Sequence, residues 1–322
     1  MNCAVSNLGT GLSFLASADR KKGQENLKMH SSKKMRQLSL AAMCAAALIA
    51  SRASTSNAAT ITAWNYESLA IATNNTPAPS TGTGTSDSIG MDVYPTPNVG
   101  VTTDDVLVGK SSDTGANAEA NTTHTWRVRA QAGANGAANG WSDAAPIGAQ
   151  GAQFFASTVG YNTINISFDW YSTTQGEANL QLEYTTDSGA HWTNAPITIG
   201  SNSSKGLTAL TNSSSSNTVN GSYISDNLLN NGSQAGQDWF QGLTASISDP
   251  LAANNAGFGI ELVNASTGAD DVSTQGTALN DNSGNWRFDN IAITGTALPE
   301  PCSLSLLALG GAALIARRRR QA

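Results

Sequence analysis

The sequence predicts an all-β fold, an antiparallel jelly-roll-like β-sandwich over residues 60–298. Apolar and polar residues alternate with period two in several short runs, as in strands with one face in a core and one in water. No run between 60 and 298 carries the 3.6-residue periodicity of an amphipathic helix. The connections are rich in Gly, Asn, Ser and Thr, which favour turns and loops.

The elements follow in order. Ile61 to Tyr66 reads as the first strand. Trp126 and Val128 alternate with Arg127 and Arg129. Ile164, Ile166, Phe168 and Trp170 share one face, with Asn165, Ser167 and Asp169 on the other. Leu180, Leu182 and Tyr184 alternate with Gln181 and Glu183, and Phe258, Ile260 and Leu262 with Gly259 and Glu261. Trp286 to Thr294 is the last strand. Residues 132–140 and 201–221 read as long loops. A break near 200–221 would divide two domains. One sandwich of about 240 residues is preferred, because the first and last strands both look core-forming.

The last strand is irregular. Trp286 and Phe288 have one parity, Ile291 and Ile293 the other. Either an extra residue at Asp289-Asn290 makes a β-bulge that turns Asp289 toward the sheet edge, or the strand is buried on both faces.

The charge is segregated. Twelve of the 17 Lys and Arg lie in residues 1–59 or at 317–320, whereas residues 60–298 hold 20 of the 23 acids and a net charge of −15. Such a body repels phosphate backbones, which argues against nucleic-acid binding and favours cations. Cys3, Cys44 and Cys302 all lie outside 60–298, so no disulfide staples the body.

Residues 1–59 form a leader. Lys33, Lys34 and Arg36 precede an apolar run over about 38–50, followed by small residues to Ala59, the layout of a secretory signal peptide. Cleavage by signal peptidase is expected after Ala58 or Ala59. Met1, Met29 and Met35 are all candidate starts. At the other end, residues 299–322 begin Pro299-Glu300-Pro301, continue as an apolar segment 302–316 and end in Arg317, Arg318, Arg319 and Arg320. Fifteen helical residues reach about 22 Å, a thin membrane span, with the arginines holding its end in the cytoplasm.

This tail resembles the PEP-CTERM sorting signal of Gram-negative bacteria. The resemblance implies transient anchoring in the inner membrane, processing near Pro299-Glu300-Pro301 by an exosortase-type protease, and release to the cell surface or exopolysaccharide matrix. The stretches 123–130, 145–192 and 285–295 also look like uncharacterised extracellular β-sandwich ectodomains that precede such signals. That likeness implies fold and location and supplies no active-site residue.

Glu67, ending Trp64-Asn65-Tyr66-Glu67, and Asp289, within Arg287-Phe288-Asp289-Asn290, lie near the two ends of the body. Their order resembles jelly-roll carbohydrate-binding modules, in which an early Glu and a late Asp share a structural calcium. The resemblance implies Glu67 and Asp289 as ligands of one Ca²⁺, with other oxygens completing a shell of six to eight. The alternative is two solvated acids. Asp104-Asp105 and Asp270-Asp271 lack EF-hand spacing and read as solvated loop acids.

Thr185 to Trp192 resembles an Asp-box hairpin, present once and with His191 before the Trp. It reads as a turn in which Asp187 caps and Gly189 takes positive φ. All seven tryptophans lie in the body and most sit at core parity. Trp141, in the loop-like Gly140-Trp141-Ser142-Asp143, is the surface candidate for stacking on a glycan. No catalytic motif appears. The expected role is a non-enzymatic structural or interaction component of an exopolysaccharide or biofilm matrix. The alternatives are a carbohydrate-binding module and a secreted glycan hydrolase, the latter needing two carboxylates about 5–10 Å apart.

Overall fold

A computed structural model describes residues 58–70, 72–90, 105–108, 124–129, 140–212, 221–226, 239–279 and 284–298. The leader and the tail segment 302–316 lie outside these residues. No helix among the described residues is long and apolar enough to cross a membrane.

The fold is all-β. In chain order the strands are β1 (Ala58–Trp64), β2 (Ala72–Thr73), β3 (Thr85–Ile89), β4 (Asp105–Val108), β5 (His124–Val128), β6 (Gly151–Phe155), β7 (Tyr161–Ser172), β8 (Asn179–Thr185), β9 (Thr193–Ala195), β10 (Thr208–Asn212), β11 (Gly221–Ser225), β12 (Phe240–Ile247), β13 (Gly259–Asn264) and β14 (Trp286–Ala297). Sheet 1 runs β12-β7-β14-β5-β4-β2, with β1 also on β14. Sheet 2 runs β10-β11-β8-β13-β6-β3, with β9 also on β8. All the strand pairings within them are antiparallel.

The alternating faces meet in one core. Ile164, Ile166, Phe168 and Trp170 of β7 and Ile291 and Ile293 of β14 are buried, as are Leu180 and Leu182 of β8 and Ile260 and Leu262 of β13. Each such side chain contributes about 1.5–3 kcal/mol by leaving water. Aromatic rings join the two sheets: Phe154 of β6 packs against Trp64 (5.1 Å), Trp126 (5.9 Å) and Phe288 (6.4 Å) of sheet 1. With no disulfide available, this aromatic layer is what holds one sheet to the other.

Two expectations are corrected. Residues 201–221 are not simply a loop: a 3-10 turn over Gly200–Lys205 leads into β10, which pairs with β11 in full register. Its Thr-Ala-Leu-Thr run has enough β propensity to add an edge strand once β11 offers a partner. The pairing also joins the chain on either side of residues 213–220 into one sheet, where a domain break was considered. Trp141 is not at the surface. It is fully buried, with its ring 4.2 Å from that of Trp286, so it has no face to offer a sugar. A single tryptophan in a polar loop gains more by entering an aromatic core than by remaining in water.

The irregularity in β14 is a bulge. Asp289 pairs with Asp169, and the next partners are Ala292 and Ser167, so β14 carries one extra residue. Asn290 absorbs it in a left-handed conformation (φ 50°), which Asn tolerates better than most residues. Trp286, Phe288, Ile291 and Ile293 all stay inward. Asp289 faces the outer side of a central strand, not the sheet edge as expected, because β14 is flanked on both sides.

The bulge coincides with a second feature. β1 and β5 lie in one lane along the same edge of β14: Trp64 is opposite Ile291 and Trp126 opposite Phe288. Between them the chain leaves and re-enters the lane. Sheet 2 repeats the device, with β9 and β11 sharing one edge of β8. There the Asn194 amide acts as a surrogate peptide group, donating to the Ser222 carbonyl (2.9 Å) and accepting from the Ser222 N–H (2.7 Å).

Candidate functional site

The lane break in sheet 1 gathers the first candidate site. At the end of β1 Tyr66 turns left-handed (φ 58°), which buries its ring beside Trp126 and lets Glu67 emerge. Glu67 then fastens the start of β5. Its Oε1 accepts from the His124 N–H (3.1 Å), and its carbonyl lies 3.0 Å from His124 Nδ1. Asp289 stands across the break, and sheet register adds Asp169 directly opposite it. Glu67 is exposed, whereas both aspartates are buried.

Burial pushes the Asp289 carboxyl up to about 8; the Asn290 N–H opposes this and the charges of Asp169 and Glu67 reinforce it. Burial also raises Asp169, although the Asn290 amide (3.0 Å) and the Gly242 N–H (2.7 Å) each donate to it. The Asp169 oxygens are thus already occupied. Asp289 accepts a hydrogen bond from Asn290 N (2.7 Å). The structure therefore brings Glu67 and Asp289 into one neighbourhood. Two carboxylates suit the hard-oxygen preference of calcium, with main-chain carbonyls and water left to fill the shell. Among the described residues no three His, Cys, Asp or Glu side chains converge as a ligand set.

Two further acid pairs escaped sequence reasoning. Glu183 of β8 and Glu261 of β13 are direct cross-strand neighbours on the outer face of sheet 2. Like charges so placed are destabilising unless a proton intervenes. Burial, reinforced by Glu183, pushes Glu261 up to about 9. Protonated Glu261 donates to Glu183, which also accepts from the Gln181 amide (2.9 Å). Carboxyls in direct hydrogen bond stand closer than the roughly 5 Å that glycoside hydrolysis needs. In the second pair, Glu177 and Asp271 share Ser266, whose Oγ is 3.3 Å from an oxygen of each. Both are fully or almost fully buried. Burial drives Glu177 well above its usual range and Asp271 up to about 7. Asp271 is therefore not a solvated loop acid. Strand register brings the first pair together and loop packing around Ser266 the second, and sequence displays neither.

The Thr185–Trp192 segment is the hairpin turn expected of it. Gly189 has φ 90° and donates to Thr185 Oγ1 (3.0 Å), and Asp187 accepts from the His191 N–H (2.9 Å) and lies 2.6 Å from His191 Nδ1. These hydrogen bonds, led by the His191 ring, hold Asp187 below the usual carboxylate range. Pro299, Glu300, Pro301 and Arg317 to Arg320 lie outside the described residues.

Fold and site together define the class: a two-sheet antiparallel sandwich that buries its acids in pairs. No protein-family model matches the chain, and no curated protein matches it.

Proposed function

We propose that the protein is an exported, non-enzymatic component of a cell surface or exopolysaccharide matrix, built on a jelly-roll-like sandwich and delivered by a removable C-terminal sorting helix. The tail carries this reading: Pro299-Glu300-Pro301, the apolar segment 302–316 and Arg317 to Arg320 stand in the order of a PEP-CTERM signal. The limits of the fold support it. β1 begins at Ala58, where the leader runs out, and β14 ends at Ala297, two residues before Pro299. Ala58 pairs with Thr296, so leader and tail depart from the same end of one strand pair. A cut after Ala59 leaves Thr60–Trp64 of β1 in place. Both processing events then trim the ends of the sandwich and spare its core.

The test is delivery. The intact chain should reach the cell surface or matrix without residues 302–322, and a chain truncated after Leu298 should stay in the periplasm. Equal distribution of the two, or a surface product that retains the arginines by mass spectrometry, overturns the proposal.

Glu67 and Asp289 are proposed to hold one structural Ca²⁺ in that setting. Calcium at about 100 times its dissociation constant adds about 2.7 kcal/mol, or roughly 5–10 °C for a domain of this size. That gain should appear when calcium is added to EDTA-treated protein at pH 8, and should vanish in Glu67→Gln and Asp289→Asn. An unchanged melting midpoint removes the ion from the account.

A further inference from the structure

We propose that the outer face of sheet 2 carries a binding site for a neutral oligosaccharide, with Phe155 and Trp192 as its stacking platform. Of the seven tryptophans, Trp192 is the one that keeps part of its ring in solvent, and Phe155 beside it is also half-exposed. Their centroids are 5.9 Å apart.

Gly259 makes room for Phe155, and Gly189 packs against both rings. Phe155 faces Gly259 across the β6–β13 ladder, and its ring lies over the bare backbone there; a Cβ on Gly259 would stand 2.5 Å from Phe155 Cδ1. Gly189, at the tip of the Asp187 turn, lies against both rings: a Cβ there would meet Phe155 Cζ at 3.4 Å and Trp192 Cζ2 at 3.6 Å. The hydrogen-bonded turn thereby fixes where Trp192 stands.

Beside the platform opens a cleft of about 360 Å³, lined by Thr83, Gly84, Thr85, Phe155, Ser157 and Ser188 among others. This volume falls at the small end of ligand clefts. Its chemistry selects the ligand. Half-exposed rings take the C–H face of a pyranose, and side-chain hydroxyls with exposed backbone exchange hydrogen bonds with its hydroxyl groups. Among the described residues no charged side chain lines the cleft, and ionised Asp187 next to Ser188 disfavours a polyanion. A protein partner would call for a broader apolar patch. The large apolar side chains exposed among the described residues are Val159, Leu210 and Leu251, none of which lines the cleft.

The site deepens the matrix reading by naming a ligand class, but it depends on that reading only for the choice of probes. Titration calorimetry of the purified full chain would use cellohexaose, mannohexaose and xylohexaose, with hexagalacturonate as the anionic probe. At least one neutral hexasaccharide should bind with a dissociation constant of roughly 10⁻⁵–10⁻³ M. Trp192→Ala and Phe155→Ala should each weaken it tenfold or more, with Leu251→Ala as the unchanged control. Trp192→Ala decides if Phe155→Ala does not fold. Absence of binding by all three neutral probes, wild-type binding by Trp192→Ala, or preference for hexagalacturonate overturns the site. Binding in the calorimeter combined with failed surface delivery would remove the export reading alone.

Discussion

In the absence of divalent cations, raising the pH from 5 to 9 is expected to lower the melting midpoint by about 10 °C or more. The causes are the acid clusters at Glu183–Glu261 and Glu177–Asp271, together with buried Asp289, pushed up to about 8, and its neighbour Asp169, also raised. A carboxyl whose folded-state pKa is raised contributes stability fully below its unfolded value, near 4, and loses it as the pH climbs through the folded value. Asp271 loses its contribution up to about 7 and Glu261 up to about 9. Every tenfold difference in proton affinity between the folded and unfolded chain is worth about 1.4 kcal/mol. The combined loss is on the order of several kcal/mol, a large part of the 5–15 kcal/mol that holds a domain together. Asp187 works the other way: its lowered pKa contributes stability that is lost as the pH falls below about 4. The stability maximum should therefore lie near pH 4–5. Glu261→Gln keeps the shape and removes the ionisation, so its profile should be flatter and its midpoint at pH 9 higher than that of the wild type. A wild-type midpoint that rises from pH 5 to 9 would contradict the shared protons.

Trp286→Ala should be the most damaging single change, abolishing soluble expression or removing most of the unfolding free energy. Its ring packs against Trp141 (4.2 Å), Trp170 (5.6 Å) and Phe288 (6.1 Å), and its indole N–H donates to the Glu177 carbonyl (2.8 Å). Truncating a buried tryptophan costs about 3–5 kcal/mol. The Glu177 carbonyl keeps a second donor, the Ser172 hydroxyl at 3.0 Å, so losing the indole N–H adds only the net worth of one hydrogen bond, about 0.5–1.5 kcal/mol. Trp286→Phe keeps most of the packing and loses that one hydrogen bond, so a smaller loss of about 0.5–1.5 kcal/mol is expected by denaturant titration. Trp141→Ala should destabilise in the same manner, since it removes the other half of the tilted ring pair. Trp192→Ala should change stability by about 1 kcal/mol at most. Comparable effects from Trp192→Ala and Trp286→Ala would mean that the burial pattern is wrong.

Much of the sandwich was legible because its core positions recur with period two. In β7, β8 and β13 that period found the inward residues Ile164, Ile166, Leu180, Leu182, Ile260 and Leu262. The other face is not simply wet, since Gln181 and Glu261 are buried too. In β14 the change of parity located the bulge at Asp289-Asn290. What period two does not contain is which strand lies beside which. Asp169 looked like any outward residue until pairing set it opposite Asp289, and Glu183 and Glu261 looked solvated until pairing made them neighbours. Trp141 misled for a related reason. Its glycine-, alanine- and asparagine-rich surroundings describe the local chain well and carry no information about the Trp286 ring it meets 145 positions later. Trp192 was passed over because the turn that holds it explains its own Asp and Gly without needing the ring.

The lane shared by β1 and β5 has a further consequence. From β14 the two short strands present almost the same ladder that one unbroken strand would, so the partner does not register how much chain intervenes. Residues 65–123 are thus an excursion that begins and ends at one address and on the way adds β3 to sheet 2 and β2 and β4 to sheet 1. Such a socket would let lineages, or an engineer, graft whole strands into the molecule at the end of β1 remote from Ala58.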